Sequence, residues 1–545
     1  MKKLQKLLCL LLSLTTVFCA VVGCGKNNDP ETLRINIFEG GYGTEWMDDM
    51  IAYYNEVYPD QKVEKRVIYQ SSDAVNELKS GSSDVDIYFN KTDISKFVLK
   101  PTNLFGTTYN TLLEDLTDVY NEKLPGEDVT LKEKMESFAL DFNTYTDSNG
   151  VDRYYATPWA VGVVGIIKNN KIWRDTWKTP RTTEELFAVL DTIKSDTGKA
   201  PIIYSLADSY WNLFYNVWFY QYEGVEGYNN FYKGIDPAGK RYTPEFLLYQ
   251  GRIEALKTME RLLTPDNAYC NEYSYSINAT SAQNYFLEGT LGAPLTCNAD
   301  WMNGELLKNY TADEIDLEMI KAPIISSIVE KLSFYTHGSR EYTTLNAADK
   351  ARYDGALSAI IDYVDGMTTE KPVSAGGFTV TDADIEKISE ARGISVSASI
   401  SHQAWIPVYA HNKDAAKKFL QLMATDKGIE VFTKASQGYI LPYSYDYTKL
   451  ESYMSSYLKT INDGVNEAMK SNDDDKRLLA SNVEKDPIFA LGGVSQFGNN
   501  TGNFVKQLAA KNANDRKGAE QLVLEDYRGV KERWSSYLTL ASITA

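Results

Sequence analysis

"ETLRINIFEGGYGTEWMDDMIAYYNEVYP", residues 31–59, decides the fold. Leu33, Ile35 and Ile37 alternate with other residues, which predicts a strand. Gly40, Gly41 and Gly43 break the chain. Trp46, Met47, Met50, Ile51 and Tyr54 then recur at helical spacing until Pro59. Beyond it, "QKVEKRVIY" (61–69) predicts a second strand and "DAVNELKSG" (73–81) a short helix. "SDVDIYFNKTDI" (83–94) predicts a third strand. This β-α-β-α-β order belongs to a parallel sheet with helices on its faces. Ligands of such sheets sit at the loops beyond the strands' carboxyl ends, here Glu39–Gly43 and Asn90–Asp93.

The same grammar continues outward. "DSNGVDRYYATPWAVGVVGIIKNNKIW" (147–173) opens with an Asn149-Gly150 hairpin turn. A strand follows to Pro158, then the apolar strand "VGVVGIIKN". "KTPRTTEELFAVLDTIKSDTG" (178–198) is a helix with a Thr cap before Glu184 and Glu185 and one apolar face. "SAQNYFLEGTLGAPLTCNADWMNGELL" (281–307) predicts a helix, a Gly turn, a strand and a polar loop around Trp301. Residues 397–447 predict a strand, an amphipathic helix and a Gly/Pro/Tyr loop. From Lys449 onward the pattern is mostly helical, and no internal repeat is present.

The chain has 545 residues, 43% hydrophobic and 24% charged, enough apolar material for at least two cores. Its net charge of −18 argues against nucleic acid and against a polybasic membrane patch. Tyrosine is abundant at 38, and its flat apolar face with a polar tip suits a binding surface. "MKKLQKLL" and the apolar run up to Val22 read as a secretory leader. "VVGC", Val21 to Cys24, resembles a bacterial lipobox, which implies a signal peptide over 1–23, lipidation of Cys24 and a tether over 24–30. Loss of Lys2, Lys3 and Lys6 takes the net charge to −21. Two acyl chains anchor stably where one does not. Past the leader and Cys24 only Cys270 and Cys297 remain, as one disulfide or two buried thiols.

Catalytic and metal motifs are missing. His337, His402 and His411 lack metal spacing, and no HExxH, GxSxG or phosphate-loop pattern occurs. "DSNGVD" is short of a calcium loop's ligands and reads as a plain turn. No cofactor is expected.

The order of these segments resembles the extracellular solute-binding proteins of ABC importers, in the carbohydrate-binding group that includes maltodextrin-binding protein. The stretches that carry the resemblance are the opening strand–Gly loop–helix, "YYATPWAVGVVGIIKNNKIW", "TPRTTEELFAVLDTIK", "YFLEGTLGAPLTCNADWMNGEL" and "AWIPVYAHNKDAAKKFLQLMATDKGIEVF". It departs from the family at Lys168-Asn169-Asn170 and at an insert near 341–364 of helical pattern. The resemblance implies an α/β, two-lobed periplasmic-binding-protein-like (type II) fold with a ligand cleft between the lobes. The N-lobe would take 31–157 with about 400–440, and the C-lobe 158–399 with about 441–545. It implies a monomeric carbohydrate receptor, lipid-anchored on the extracytoplasmic face of the cell membrane, that feeds an ABC permease. The alternatives are a surface-anchored glycoside-active enzyme and a receptor of the same fold for a peptide or other solute.

A sugar needs aromatic faces for its apolar side and fixed donors and acceptors for its hydroxyls. Trp301 stands where the family stacks sugar; the competing reading is a core residue. Asp300 reads either as a hydroxyl partner or as a cap for the helix after it, and Asn298 as a further hydroxyl partner. Tyr210 and Trp211 match the family's aromatic contacts. Trp159 follows the crossover proline. Tyr42 and Glu39 stand on the first strand's loop, Asn90 and Lys91 on the third's, and Trp405 on the returning strand. Trp46, Trp218 and Phe219 read as core, and Tyr443 and Tyr445 as the cleft rim.

Overall fold

Alternation in the first strand does more than divide inside from outside. Leu33, Ile35 and Ile37 are buried on one face and Thr32 and Asn36 on the other, as in a strand covered on both sides. The computed structural model describes residues 32–394, 396–399, 402–462, 479–481, 484–495 and 504–544. The leader, Cys24 with its tether, and the acidic run 472–476 lie outside the described residues.

The strands of two five-stranded sheets are, in chain order, β1 (Thr32–Phe38), β2 (Lys62–Ile68), β3 (Ile87–Lys91), β4 (Thr157–Pro158), β5 (Gly162–Asn169), β6 (Leu295–Ala299), β7 (Leu317–Ile320), β8 (Ser397–Ser399), β9 (His402–Trp405) and β10 (Leu479–Ser481). The N-lobe sheet has the order β2-β1-β3-β9-β4. β1 lies parallel to β2 and β3, and β9 is antiparallel to β3 and β4. β2 is the edge; its outward Lys62, Glu64 and Arg66 are of the kind that blunts strand addition.

In the C-lobe sheet β5 is the spine, buried along its whole length. β6 runs antiparallel along one side of it. The other side is shared: β7 pairs with Ile166–Asn169 and β8 with Gly162–Val164. β10 adds to β8 in parallel. β4 and β5 are separated by Trp159, Ala160 and Val161, and β8 and β9 by residues 400 and 401. Each pair of strands therefore passes from one sheet into the other, side by side and antiparallel. Trp159 N–H donates to His402 C=O (3.0 Å), continuing the ladder into the passage.

Helices cover the sheets where caps and apolar stripes place them. Thr182 accepts the Glu185 N–H (3.1 Å) to start the helix Thr183–Thr197, and Gly198 ends it in the left-handed region (φ 66°). The insert forms the helix Ala347–Val364, capped by Asn346, with Tyr353, Leu357, Ile360 and Ile361 turned inward. It packs beside the helix Asp382–Gly393. The aromatic helix Trp211–Tyr232 buries Trp211, Trp218 and Phe219 and bends at Gly224. Cys270 and Cys297 are free, buried thiols, so the disulfide alternative is not realised.

Downstream of β10, two consecutive residues hold opposite lobes. Lys485 Nζ donates to Asp141 C=O (2.8 Å) and Thr144 C=O (2.9 Å) of the N-lobe. Its ammonium sits over the rings of Phe142 and Tyr145. Asp486 accepts from Arg241 (2.6 Å) and Tyr242 (3.2 Å) of the C-lobe. Burial brings the Lys485 ammonium down to about 7, so near neutral pH its bonds fall between about 1 kcal/mol each for an uncharged donor and about 1.5–3 kcal/mol for a charged one. Lys485→Ala is therefore expected to lower the thermal midpoint and raise the radius of gyration measured by small-angle X-ray scattering. No change in either would show that this strap carries no load.

Candidate functional site

The carboxyl ends of β1 and β3 face the carboxyl end of β6 across the seam between the lobes. Glu39–Thr44 follows β1, Lys91 closes β3, and Asp300-Trp301 follows β6. Strand geometry sets this meeting. β6 runs antiparallel to β5, so its exit lies beside Val163 and Val164, next to the passage between the sheets.

Asp300 is the hub. Its main-chain N–H donates to Val163 C=O (2.8 Å), and its carboxylate accepts the Val163 N–H (3.1 Å). The same carboxylate accepts the Tyr42 hydroxyl at 3.0 and 3.2 Å from its two oxygens, across 258 residues of chain. Tyr439 donates its hydroxyl to Asp300 C=O (3.3 Å) and accepts the Gly304 N–H (2.9 Å). Burial pushes the Asp300 carboxyl up to about 7, while the Val163 and Tyr42 hydrogen bonds pull the other way. A cavity of about 10 Å³ lined by Tyr42, Asp300, Tyr439 and Asn462 lies behind it, room for about one water. The helix Met302–Leu307 starts after Trp301 with no side-chain cap. Asp300 thus spends its side chain on the seam and not on capping.

Trp301 is buried, with 6% of its surface exposed. Its indole N–H donates to the Tyr210 hydroxyl (2.8 Å). Its ring packs near Tyr42, Tyr210 and His402 at centroid distances of 6.2, 5.5 and 6.1 Å. Lys91 Nζ stands 4.9 Å over the ring, in cation–π range. Two glycines permit the approach. A Cβ on Gly41 would lie 2.6 Å from Trp301 Cβ, and one on Gly304 only 2.2 Å from Gly41 O. The glycines after β1 break the strand, as the sequence predicts; Gly41 also makes room for the other lobe.

Behind Trp301 the aromatics close into a box. Tyr42 meets Trp159 at 5.7 Å, His402 at 4.9 Å and Tyr439 at 4.6 Å, all edge to face. His402 is buried and its Nδ1 has no partner among the described residues. Burial, and then Lys91, hold its pKa well below the usual histidine range, so it is neutral. At the rim Lys308 reaches Glu39 (3.4 Å).

The structure brings together Tyr42, Lys91, Trp159, Tyr210, Asp300 and Trp301, with Glu39 at the edge. Trp211 lies elsewhere: it packs against Phe214 and Trp218 inside the C-lobe. Trp405 lies elsewhere too, stacked 4.4 Å from Tyr88. Strand alternation explains this, since His402 and Trp405 are three apart on β9 and point to opposite faces. Asn90 is buried and donates to Ser71 C=O (3.0 Å) and Thr92 Oγ1 (2.8 Å), and its carbonyl oxygen has no partner among the described residues. Asn298 is buried in β6, its side-chain oxygen on the Ala299 N–H (2.8 Å). Tyr443 is buried on the passage, its hydroxyl donating to Pro158 C=O (3.4 Å), and Tyr445 donates to Glu430 (3.0 Å). His402 and Tyr439 escape a sequence reading. A histidine judged for metal spacing gives no sign of an aromatic box, and Tyr439 is one of several tyrosines in its loop. Among the described residues no three His, Cys, Asp or Glu side chains converge to hold a metal ion.

Residues 40–291 match the profile of the family described as bacterial extracellular solute-binding protein. No curated relative matches the chain by sequence. Solved structures share its fold. The GacH receptor of Streptomyces glaucescens, solved unliganded and with acarbose, is 11% identical, with 92% of this chain and 98% of that one covered at a TM-score of 0.54. A probable secreted solute-binding lipoprotein of Streptomyces coelicolor is 13% identical over 92% and 99%, at 0.57. The maltotriose-binding protein of Thermus thermophilus is 14% identical over 92% and 99%, at 0.52. No helix among the described residues is long and apolar enough to cross a membrane. Residues 40–291, a little under half of the chain, match that family's profile, and the two-lobed fold is the one these solved structures share.

Proposed function

We propose that the chain is an extracytoplasmic receptor, anchored through lipid on Cys24, that captures a carbohydrate between its lobes and delivers it to an ABC importer. An oligosaccharide is the favoured ligand. The observation that carries this reading is Trp301 held at the seam beside a buried carboxylate and a ring of tyrosines. That set supplies a flat apolar face with hydroxyl-reading groups around it. The family match supports it, as do neighbours whose names speak of acarbose, maltotriose, raffinose and chitin oligosaccharide.

In this reading Trp301 is the platform. Asp300, Tyr42, Tyr210, Lys91 and Glu39 read hydroxyls, and Trp159 backs the site. Asn90 and Asn298 hold their loops in place, while Trp211 and Trp405 act from the cores. A ligand reaches the Trp301 face only when Gly41 and Lys91 move off it, so entry requires the lobes to part and the Tyr42–Asp300 bond to break. The ligand then shifts the balance only by binding the closed state better. A glycoside-active enzyme would need two carboxylates flanking the bond. Asp300 is already bound by two donors, and the family binds solutes, so the receptor reading is preferred.

Four outcomes are expected. In a thermal-shift screen of mono- and oligosaccharides, at least one should raise the midpoint saturably. Trp301→Ala should weaken its binding by about 2–4 kcal/mol, the usual worth of a central aromatic anchor. A panel that stays silent while another solute class binds would end the carbohydrate reading. Gly41→Val should hold the lobes apart, seen as a larger radius of gyration that ligand fails to reduce; normal compaction would mean the seam yields there.

The fourth concerns pH. Asp300 has a pKa of about 7 when buried and an ordinary value near ~4 when hydrated. Between these the closed, folded form binds the proton that the hydrated form has lost. Its contribution is thus complete below about pH 4 and lost as pH rises through about 7. Glu136 and Glu484 (about 7) and Asp354 and Asp526 (about 6) shift the same way. The comparison is therefore with Asp300→Asn, whose midpoint should fall less between pH 5 and 8 than the parent's. Parallel curves would remove Asp300 from the account.

A further inference from the structure

One hairpin of the N-lobe carries a residue that the fold does not need. The strands Thr102–Leu104 and Thr107–Tyr109 pair around the turn Phe105-Gly106. Both turn residues have positive φ, 50° and 88°. Such a turn favours Asn-Gly, and a phenylalanine is a poor choice for its first place. Phe105 gains no burial in return, since it is 83% exposed.

The surroundings are basic. Residues 94–113 contain Lys96 and Lys100 and no acid, in a chain with 74 acidic residues. Lys79 and Lys96 stand over the Phe97 ring at 5.8 and 5.4 Å. Lys79, Lys96 and Lys100 are exposed, and none has an ion-pair partner among the described residues. The acids nearest along the chain are occupied. Glu77 pairs with Arg66 (2.5 Å) and Asp84 with Arg34 (3.8 Å), and Asp93 accepts the Ser95 N–H (2.9 Å).

The place of the hairpin says what it meets. A Cβ on Gly81 would lie 2.9 Å from Leu104 Cδ1 and 3.3 Å from Phe105 Cε2, so the turn rests on the end of the helix Ser71–Ser80. From Gly81 the chain enters β3 through Asp86. The Asp86 N–H donates to Arg34 C=O (2.9 Å), and its carboxylate accepts the Arg34 N–H (3.0 Å). Arg34 is the third residue of β1. The turn and the start of β1 therefore share one end of the N-lobe, with Glu39–Thr44 and Lys91 at the other. Cys24, which the reading above lipidates, precedes Thr32 by eight residues. Eight residues span at most about 29 Å, so a lipid on Cys24 keeps this end within that distance of its bilayer.

We propose that the hairpin Thr102–Tyr109 is a membrane contact. Phe105 enters the interfacial layer of an anionic bilayer, and Lys79, Lys96 and Lys100 meet its headgroups. An aromatic ring suits that layer, and lysines add attraction to anionic lipid. The inference rests on the lipid-anchored reading. It sets the N-lobe nearest the membrane and the C-lobe farthest from it.

Mass spectrometry of the purified mature chain first records lipid on Cys24. Its absence would remove the anchoring reading; the chain with Cys24→Ser is then added to the vesicles, and the hairpin is judged on its own. The vesicles mix phosphatidylglycerol with phosphatidylcholine, and some lipids bear a quenching group. A fluorophore on Thr107→Cys, beside the turn, should be quenched at least twofold more than one on Tyr69→Cys, an exposed position just past β2. Phe105→Asn should abolish the difference, and so should changing Lys79, Lys96 and Lys100 together to Gln. Phe105→Asn should also keep the thermal midpoint, because the turn favours Asn. Equal quenching at the two positions, quenching that survives Phe105→Asn, or a midpoint that falls in Phe105→Asn would each overturn the proposal.

Discussion

The backbone ladder that runs from one sheet into the other is the constraint on which the rest depends. β4 and β5 lie on one line and β8 and β9 on the other, and the lines pair antiparallel on both sides of the passage, Gly162–Val164 with Ser397–Ser399 and Thr157–Pro158 with Gln403–Ala404. The hydrogen bond from Trp159 N–H to His402 C=O lies in that passage. It fixes which faces of the two sheets look at each other. Trp159 and His402 are side chains of the passage itself, so the aromatic box is built on the part of the molecule least free to change register.

Across the seam the lobes meet with no side-chain cushion at the closest point. Gly41 touches Trp301 and lies against Gly304. Around this contact sit the bond from the Tyr42 phenol to the Asp300 carboxylate, two bonds through the Tyr439 hydroxyl, the Lys308–Glu39 ion pair, one cation over a ring and several edge-to-face pairs. None is large alone: an aromatic pair adds about 0.5–1.5 kcal/mol beyond its buried area. In the proposed receptor reading this economy has a use. A seam held by many strong bonds would stay shut, and one without them would not distinguish the closed state.

Much of the fold could be read from the chain. Alternation in Leu33–Ile37 and helical spacing from Trp46 to Tyr54 are local signals, and both elements form. The place of Trp301 after a strand is local too. The pairs that make the site are not. Tyr42 and Asp300 lie 258 residues apart, and neither residue differs in sequence from a surface tyrosine or a capping aspartate. Trp405 shows the converse. Its neighbourhood on the returning strand was legible, but its direction depends on register, which a single sequence leaves open. Trp211 adjoins Tyr210 in sequence, and one step at the start of the helix turns it into the core.

The strap formed by Lys485 and Asp486 has a mechanical meaning. Neighbouring Cα atoms are about 3.8 Å apart and cannot stretch. The surfaces these two residues grip therefore cannot separate by more than side-chain slack until one grip lets go. A door on a plain hinge swings through any angle at little cost. A door with a catch stays shut under small pushes and then gives way at once, and a molecule built like that divides its time between two positions with few in between.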